Sequence, residues 1–226
     1  MNNHIEIWSR FAESHNIQNY WVNLFDTTTD LTVKTRPIGT KNKRNVLCRS
    51  EDMEKLMIHE CGKLVDDWKN DTQIYDGLIY VMGIEYGNGI APLYIGKAEK
   101  YGRGLSNLSI NVNGIDTDKS KFGRWGDNYQ YHMGDLSAVI LDQESKYIQP
   151  KYQSWAESLF ENTPSQSPKL KQPVFFWAKA WNPETDEGPW REFGSTRLAF
   201  VEYLLIGLCS SAFPELLLNR EGQNRK

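Results

Sequence analysis

The sequence has few cysteines, no long apolar run and no excess of basic residues. Its three cysteines, Cys48, Cys61 and Cys209, are far apart and form no disulfide or zinc pattern. Reduced thiols in a cytoplasmic protein are the simplest interpretation. No apolar run approaches the ~18 residues of a membrane helix, so no membrane span is expected. The first residues lack the basic start and apolar stretch of a secretory signal.

The net charge of −3 at pH 7 is unusual for a nucleic-acid-binding protein, because such proteins are normally basic. The charge is unevenly distributed, however. Residues 34–49 contain no acid and carry six cations, which are Lys34, Arg36, Lys41, Lys43, Arg44 and Arg49. Such a segment could neutralise several phosphates, or it could be an ordinary solvated loop, and the sequence alone leaves both interpretations open.

Apolar patterning predicts a mixed α/β protein of the α+β type. In the first part of the chain we expect helices at 5–17 and 50–68, with Ser50 as the N-cap of the second, and short strands at 20–25 and 31–34. Further along we expect strands at 78–86 and 92–97 joined by Gly87-Asn88-Gly89, a short helix at 129–133, a helix at 151–160, a strand at 173–181 and a helix from 195 or 196 to about 211. The polar stretch 98–121 predicts a long loop, and such loops are often functional.

Two short motifs coincide with the two adjacent predicted strands, one at the start of the first strand and one at the end of the second. They are Gly77-Leu78-Ile79-Tyr80 and Tyr94-Ile95-Gly96-Lys97, and their tyrosines are 14 positions apart. The pair resembles the signature strands of the GIY-YIG nucleases, which cut phosphodiester bonds in DNA with one divalent metal. The second motif is intact, whereas Leu78 stands where the family usually has glycine. The resemblance extends over roughly residues 77–224.

The resemblance implies a core of three antiparallel strands flanked by helices. We therefore predict a GIY-YIG-like nuclease core at 77–226. Residues 1–76 resemble no family, and we predict an N-terminal extension there that could supply DNA contacts.

A carboxylate in the last predicted helix is the candidate metal ligand. Glu202 lies among leucine, valine and isoleucine, where an unpaired charge would be costly. Glu202, the apolar run after it, Pro214 and Asn219 resemble the family's C-terminal signature, which implies that Glu202 binds Mg²⁺ or Mn²⁺. The alternative is an exposed glutamate on a polar stripe. Asn219 would contact phosphate, hold the site together, or be only a turn residue.

The resemblance places Tyr80 and Tyr94 in the catalytic cleft, with one of them as a candidate general base. A phenol with a pKa of about 10 is a poor base unless a cation or metal-bound water lowers its proton affinity. Lys97 could supply that charge or deprotonate water itself. The alternative for both tyrosines is ordinary packing. Gly96 would allow the backbone to approach closely.

An arginine after the second strand would stabilise the negative charge that develops during phosphoryl transfer. In the GIY-YIG nucleases that the chain resembles, an arginine stands on the element after the second strand. We prefer Arg124 because His132 and two tyrosines accompany it. Arg103 is the alternative, at the distance from Tyr94 that is commoner in that family. His132 could assist the nucleophile or the leaving group, or be an ordinary hydrogen-bonded histidine.

These residues together predict a Mg²⁺-dependent endonuclease that cuts double-stranded DNA, of the restriction or defence type. The alternatives are a DNA repair or homing nuclease with the same chemistry and a catalytically inactive DNA-binding protein. A homodimer is expected, because cutting both strands needs two active sites or two visits.

Overall fold

The computed structural model describes residues 3–40, 43–104, 106–143 and 149–220. Its helices are α1 (Asn3–Ser14), α2 (Ile17–Tyr20), α3 (Glu51–Lys69), α4 (His132–Ile140), α5 (Pro150–Leu159) and α6 (Leu198–Ala212). Its strands are β1 (Val22–Asn23), β2 (Thr35–Ile38), β3 (Arg44–Leu47), β4 (Gly77–Tyr86), β5 (Gly89–Glu99) and β6 (Phe175–Trp181). Short 3₁₀ turns lie at Phe122–Arg124 and Arg191–Phe193. None of these helices is long and apolar enough to cross a membrane.

The main sheet has four antiparallel strands in the order β1-β6-β4-β5, and β2 and β3 form a separate antiparallel pair. The predicted α+β class with an antiparallel sheet is confirmed. The sheet has one strand more than predicted, because β1, from the residues before Gly77, pairs with β6. That pairing spans only two residues, Val22 with Phe176 and Asn23 with Phe175.

The central hairpin forms where the sequence predicts it. β4 and β5 pair along their length, from Gly77 opposite Glu99 to Tyr86 opposite Gly89. Gly87 and Asn88 therefore make a two-residue turn. Gly87 has a φ of +58°, as such tight turns require. The register shifts between Met82 and Gly83.

Helix α3 forms as predicted and completes the edge of β6. The Ser50 hydroxyl accepts a hydrogen bond from the Met53 amide at 2.9 Å, which caps the first turn. Farther along the helix, the buried Glu60 carboxylate accepts the Ala180 amide of β6 at 2.7 Å. The Glu60 side chain therefore accepts a backbone hydrogen bond from β6 at a point beyond the end of β1.

Residues before Gly77 share the core of the protein. Ile7, Trp8, Phe11 and Ala12 form the buried face of α1, and they belong to the same hydrophobic cluster as the main sheet. The Trp8 indole N–H donates to the Ile90 carbonyl of β5 at 2.9 Å. The domain boundary at residue 76 stays a prediction, but the segment on its N-terminal side is packed rather than detached.

Two local predictions are wrong. Residues 31–34 make only isolated bridges, Val33 with Thr27 and Thr32 with Lys169, rather than a strand. The short helix predicted at 129–133 starts later, at His132, and runs to Ile140 as α4. The residues just before it are held in turns, and Gln130 has a φ of +70°, which helical backbone cannot adopt.

Candidate active site

The two signature tyrosines lie on one face of the β4–β5 hairpin. Tyr80 pairs in register with Gly96, and Tyr94 pairs with Met82, so the tyrosines are diagonal neighbours on adjacent strands. Their ring centroids are 6.4 Å apart, and both side chains are buried. Strand pairing therefore brings together two residues that the sequence separates by a turn.

Gly96 makes room for the ring of Tyr80. A Cβ atom at position 96 would lie 2.6 Å from the Tyr80 hydroxyl and 2.7 Å from its ring carbons. On the other side, Tyr80 pairs with Ala178 of β6, which is also small. The close approach predicted at Gly96 is thus made by an aromatic side chain of the same site.

His132 links the tyrosines to helix α5. It is the first residue of α4 and is 3% exposed. Its Nε2 lies 3.3 Å from the Tyr80 hydroxyl, and its Nδ1 lies 2.9 Å from the hydroxyl of Tyr152. The indole rings of Trp125 and Trp155 flank the imidazole, with centroids at 4.9 and 5.2 Å. The imidazole is therefore held at both nitrogens.

Burial shifts the protonation of this pair in opposite directions. It raises the pKa of Tyr80 well above its usual value, and the nearby charges of Tyr94 and Glu202 add to that effect while Arg124 opposes it. Burial also lowers the pKa of His132 well below its usual value, and the charges of Lys151 and Arg124 add to it. At neutral pH the pair is therefore a protonated phenol beside a neutral imidazole, which can accept a proton.

Arg124 and Glu202 lie close enough to Tyr80 for their charges to act on it. Arg124 ends the 3₁₀ turn with a φ of +75°, is exposed, and lies over the Tyr131 ring at 5.4 Å from its centroid. Glu202 is half-buried on α6. Arg103, the alternative arginine, is exposed on the loop after β5. The charge of Arg124 is therefore among those that act on Tyr80, and the choice between the two arginines stays a prediction.

Glu202 is the carboxylate whose charge acts on Tyr80. Among the described residues, no group of three or more His, Cys, Asp or Glu side chains could hold a metal ion. Magnesium, however, commonly binds through one or two carboxylates and keeps several waters.

Lys151 belongs to the site although sequence reasoning did not select it. Its ammonium donates to the Tyr94 hydroxyl at 3.0 Å and lies 4.4 Å from the centroid of that ring. The same group is 5.2 Å from the ring centroid of Trp155. The available signal was a lysine beside Tyr152 at the start of a predicted helix whose buried face carries Trp155.

Lys97 does not join the group. Successive strand residues point to opposite faces, so Lys97 faces away from Gly96 and Tyr94. Its ammonium forms an ion pair with Glu99. A direct role for Lys97 as base has no support in this placement.

Asn219 holds β5 in place. Its side-chain oxygen accepts the Ile95 amide at 2.9 Å, and its NH₂ donates to the Ile95 carbonyl at 2.8 Å. Asn219 is 3% exposed. The structure thus gives Asn219 a role in fixing β5, and its predicted contact with phosphate stays a prediction.

The basic segment is folded onto the turn that carries Arg124. Arg36 forms an ion pair with Asp127, and Arg44 stacks over the Tyr129 ring at 3.7 Å. Arg49 is buried, where it donates to the Trp125 carbonyl at 2.8 Å. The segment is therefore not a loop throughout, since it contains β2 and β3, and Arg49 is buried, whereas Arg36 is exposed. Lys41 lies outside the described residues.

Comparison of the chain with models of protein families, with curated proteins and with solved structures finds no match in any of the three.

Proposed function

We propose that the protein is a DNA endonuclease that hydrolyses phosphodiester bonds in double-stranded DNA with Mg²⁺ or Mn²⁺, in a GIY-YIG-like core and as a restriction or defence enzyme. One observation carries the proposal. The tyrosines of two short sequence motifs meet at His132, and the charges of Arg124 and Glu202 act on the same phenol. Ordinary core packing of a tyrosine does not require the charges of an arginine and a glutamate near its ring.

The hydroxyl of Tyr80 and the imidazole of His132 provide a route for the proton of the attacking water. In the tautomer with the proton on Nδ1, His132 donates to Tyr152 and its Nε2 accepts from Tyr80. The Tyr80 oxygen can then accept a proton from water while its own proton passes to the imidazole. The lowered pKa of His132 keeps the imidazole neutral and able to accept a proton at neutral pH, although it also makes the imidazole a weaker base.

The two cations of the site have different tasks. Arg124 is exposed and presents a planar guanidinium, which can bind two oxygens of the transition-state phosphoryl group. Lys151 is held against Tyr94. There it orients the Tyr94 hydroxyl toward the cleft and adds positive charge for the phosphate.

Glu202 would hold the metal, which supplies positive charge to the leaving oxygen when it is bound. A homodimer would place two such sites on the two strands of a duplex. Both the metal and the dimer belong to the proposal.

A plasmid-nicking assay with and without Mg²⁺ tests the function. We expect the metal-containing reaction to convert supercoiled plasmid to nicked and linear forms. Glu202→Gln should lower cleavage at least ~100-fold, because it removes the ligand charge. Glu215→Gln, at an exposed position on the segment after α6, is the matched control and should cut normally.

The arginines give a second arm of the same assay. Arg124→Ala should lose most turnover and keep DNA binding, since its main interaction forms in the transition state. Arg103→Ala should retain activity. Metal-independent cutting, or full activity of both Glu202→Gln and Arg124→Ala, would refute the proposed mechanism. Binding of DNA without any cutting would favour the inactive DNA-binding protein.

A further inference from the structure

A large groove lies beside the candidate active site, between the β2–β3 pair and the turn that carries Arg124. Its volume is about 1780 Å³, whereas pockets for small molecules are typically about 300–1,000 Å³. Its lining is rich in side-chain amides, contributed by Asn45, Asn128, Gln130, Gln143, Gln149 and Gln166. Arg124 lines it as well, so the groove is continuous with the site.

Three of the six amides are available to a ligand. Asn45, Gln130 and Gln149 are exposed, and their side chains make no hydrogen bond with another described residue. The other three amides are held within the protein. Gln143 donates to the Asn45 carbonyl at 2.8 Å, Gln166 donates to the Leu141 carbonyl at 3.4 Å, and Asn128 accepts from the Tyr129 amide at 2.9 Å.

The charges around the groove favour a polyanion. Lys43, Arg44 and Arg124 line it. Asp127, a carboxylate of the lining, is paired with Arg36. The other carboxylate, Asp135, is buried and accepts a hydrogen bond from the backbone N–H of Gln130 at 3.0 Å. Positive charge therefore remains at the surface.

Arg44 is held in a fixed orientation at the groove. Its guanidinium stacks on Tyr129 and donates to the Asp127 carbonyl at 2.8 Å. Five N–H donors on one guanidinium leave others for a ligand. A cation fixed in this way is suited to hold a phosphate at one position along a backbone.

We propose that this groove reads the base sequence of double-stranded DNA, an inference that rests on the proposed nuclease function. Asn45, Gln130 and Gln149 present amides to base edges, and Lys43 and Arg44 bind the flanking phosphates. A side-chain amide offers a donor and an acceptor together, which matches the N6 and N7 edge of adenine in the major groove. The sequence that is read therefore includes A·T pairs. RNA duplexes fit less well, because their major groove is too narrow for side chains to enter.

A randomised duplex library tests the assignment in cutting and in binding. The test variant is Asn45→Ala/Gln130→Ala/Gln149→Ala. The matched control is Gln18→Ala/Asn19→Ala/Asn88→Ala, which removes three exposed amides from a separate depression. A second test variant, Asn45→Ala/Gln149→Ala, leaves the left-handed backbone of Gln130 unchanged in case alanine there lowers stability. Cut ends and bound duplexes are both sequenced.

We expect the wild-type protein and the control to select a common sequence with A·T pairs. The test variants should lose about 5- to 150-fold discrimination at each position that an amide reads, and should still cut random DNA. The same selected sequence at undiminished strength in both test variants overturns the groove as reader and leaves the nuclease proposal standing. Wild-type cutting without base preference also overturns the groove as reader and leaves the nuclease proposal standing. If nothing cuts, yet wild-type binding is sequence-selective and the test variants lose that selectivity, the nuclease proposal fails and the reader stands. If there is neither cutting nor selective binding, both fail.

Discussion

At the scale of single residues, the missing side chain at position 96 is what lets the Tyr80 ring pack against β5. We expect Gly96→Ala to displace the Tyr80 ring, because the new methyl would lie 2.6 Å from the hydroxyl. Overpacking of this kind costs about 1–3 kcal/mol of stability, and a shift of the phenol should lower cleavage up to about 100-fold. Thermal unfolding and nicking rates measure the two effects.

Gly89→Ala is the control for that experiment. It introduces the same methyl at the start of the same strand, where nothing lies within 4 Å of the new Cβ. It should change neither stability nor cleavage much. Equal behaviour of the two variants would mean that Tyr80 tolerates displacement.

His132 makes stability depend on pH in a defined window. Its pKa in the folded protein is well below the ordinary 6.5, so the unfolded chain takes up the proton first as the pH falls. Stability from this group is complete above pH 6.5 and declines below it by about 1.4 kcal/mol per pH unit. His15, whose pKa is also lowered by burial, acts in the same window and direction.

Unfolding measured at pH 7.5 and 5.5 separates the two histidines. We expect the wild-type protein to lose stability over this interval and His132→Gln to lose distinctly less. His15 lies on the other face of the sheet, and His15→Gln measures the part of the pH dependence of stability that His15 contributes. An identical pH dependence in the wild-type protein and His132→Gln would show that His132 is not held neutral by burial.

Motif spacing predicted which tyrosines meet on the hairpin, whereas other contacts of the candidate site depend on tertiary packing. Tyr80 and Tyr94 come from neighbouring strands, so their meeting follows from a hairpin that the sequence predicts. The contact of Lys151 with Tyr94 joins residues 57 apart through the packing of α5, which no local pattern specifies. The position of Lys97 was predictable, since strand alternation already puts it on the face opposite Gly96.

At the scale of elements, the segment after α6 fixes the edge strand β5. Asn219→Leu keeps the approximate shape and removes both bonds to Ile95. Each buried backbone group left without a partner costs about 1–3 kcal/mol. We expect faster hydrogen exchange at the Ile95 amide, a lower unfolding temperature and a lower kcat with little change in KM.

Arg220→Ala separates that local effect from a general loosening of the segment. The contacts of Arg220 are with the Pro150 carbonyl and Ser154 of α5, at 2.8 and 2.7 Å. Exchange at Ile95 should stay slow in this variant. Unchanged exchange in Asn219→Leu would refute the positioning role.

Element prediction succeeded where one face of a strand or helix is buried. The hairpin at 77–99, β6 and α6 were all predicted, and Leu198, Val201, Leu205 and Leu208 are buried as expected. β1 was predicted too long and the partner strand at 31–34 is absent, since two-residue pairings and isolated bridges depend on distant neighbours. The pairing of β1 with β6 joins parts of the chain about 150 residues apart in sequence.

At the scale of the whole molecule, the residues before Gly77 and those after it build one core. A chain of residues 77–226 would lose α1, β1 and α3 and expose the surfaces that they cover. We expect this fragment to lack cooperative thermal unfolding, because the edge of β6 and the apolar face of α6 would be exposed to solvent. Circular dichroism and calorimetry of the fragment measure this, and a cooperative, fully folded 77–226 would establish the predicted domain boundary.

The bond between Asn219 and Ile95 also has a consequence during synthesis. The two residues are 124 positions apart, and a ribosome adds about 5–20 residues per second. Ile95 is therefore made roughly 6–25 s before the residue that fixes it. We expect ribosome-stalled chains that end before Asn219 to leave plasmid DNA intact, and longer stalled chains that expose Asn219 to nick it. Equal nicking by both would contradict this order. If the protein is a nuclease, as proposed, a nascent chain that is still short of Asn219 would spare the DNA of the cell that makes it.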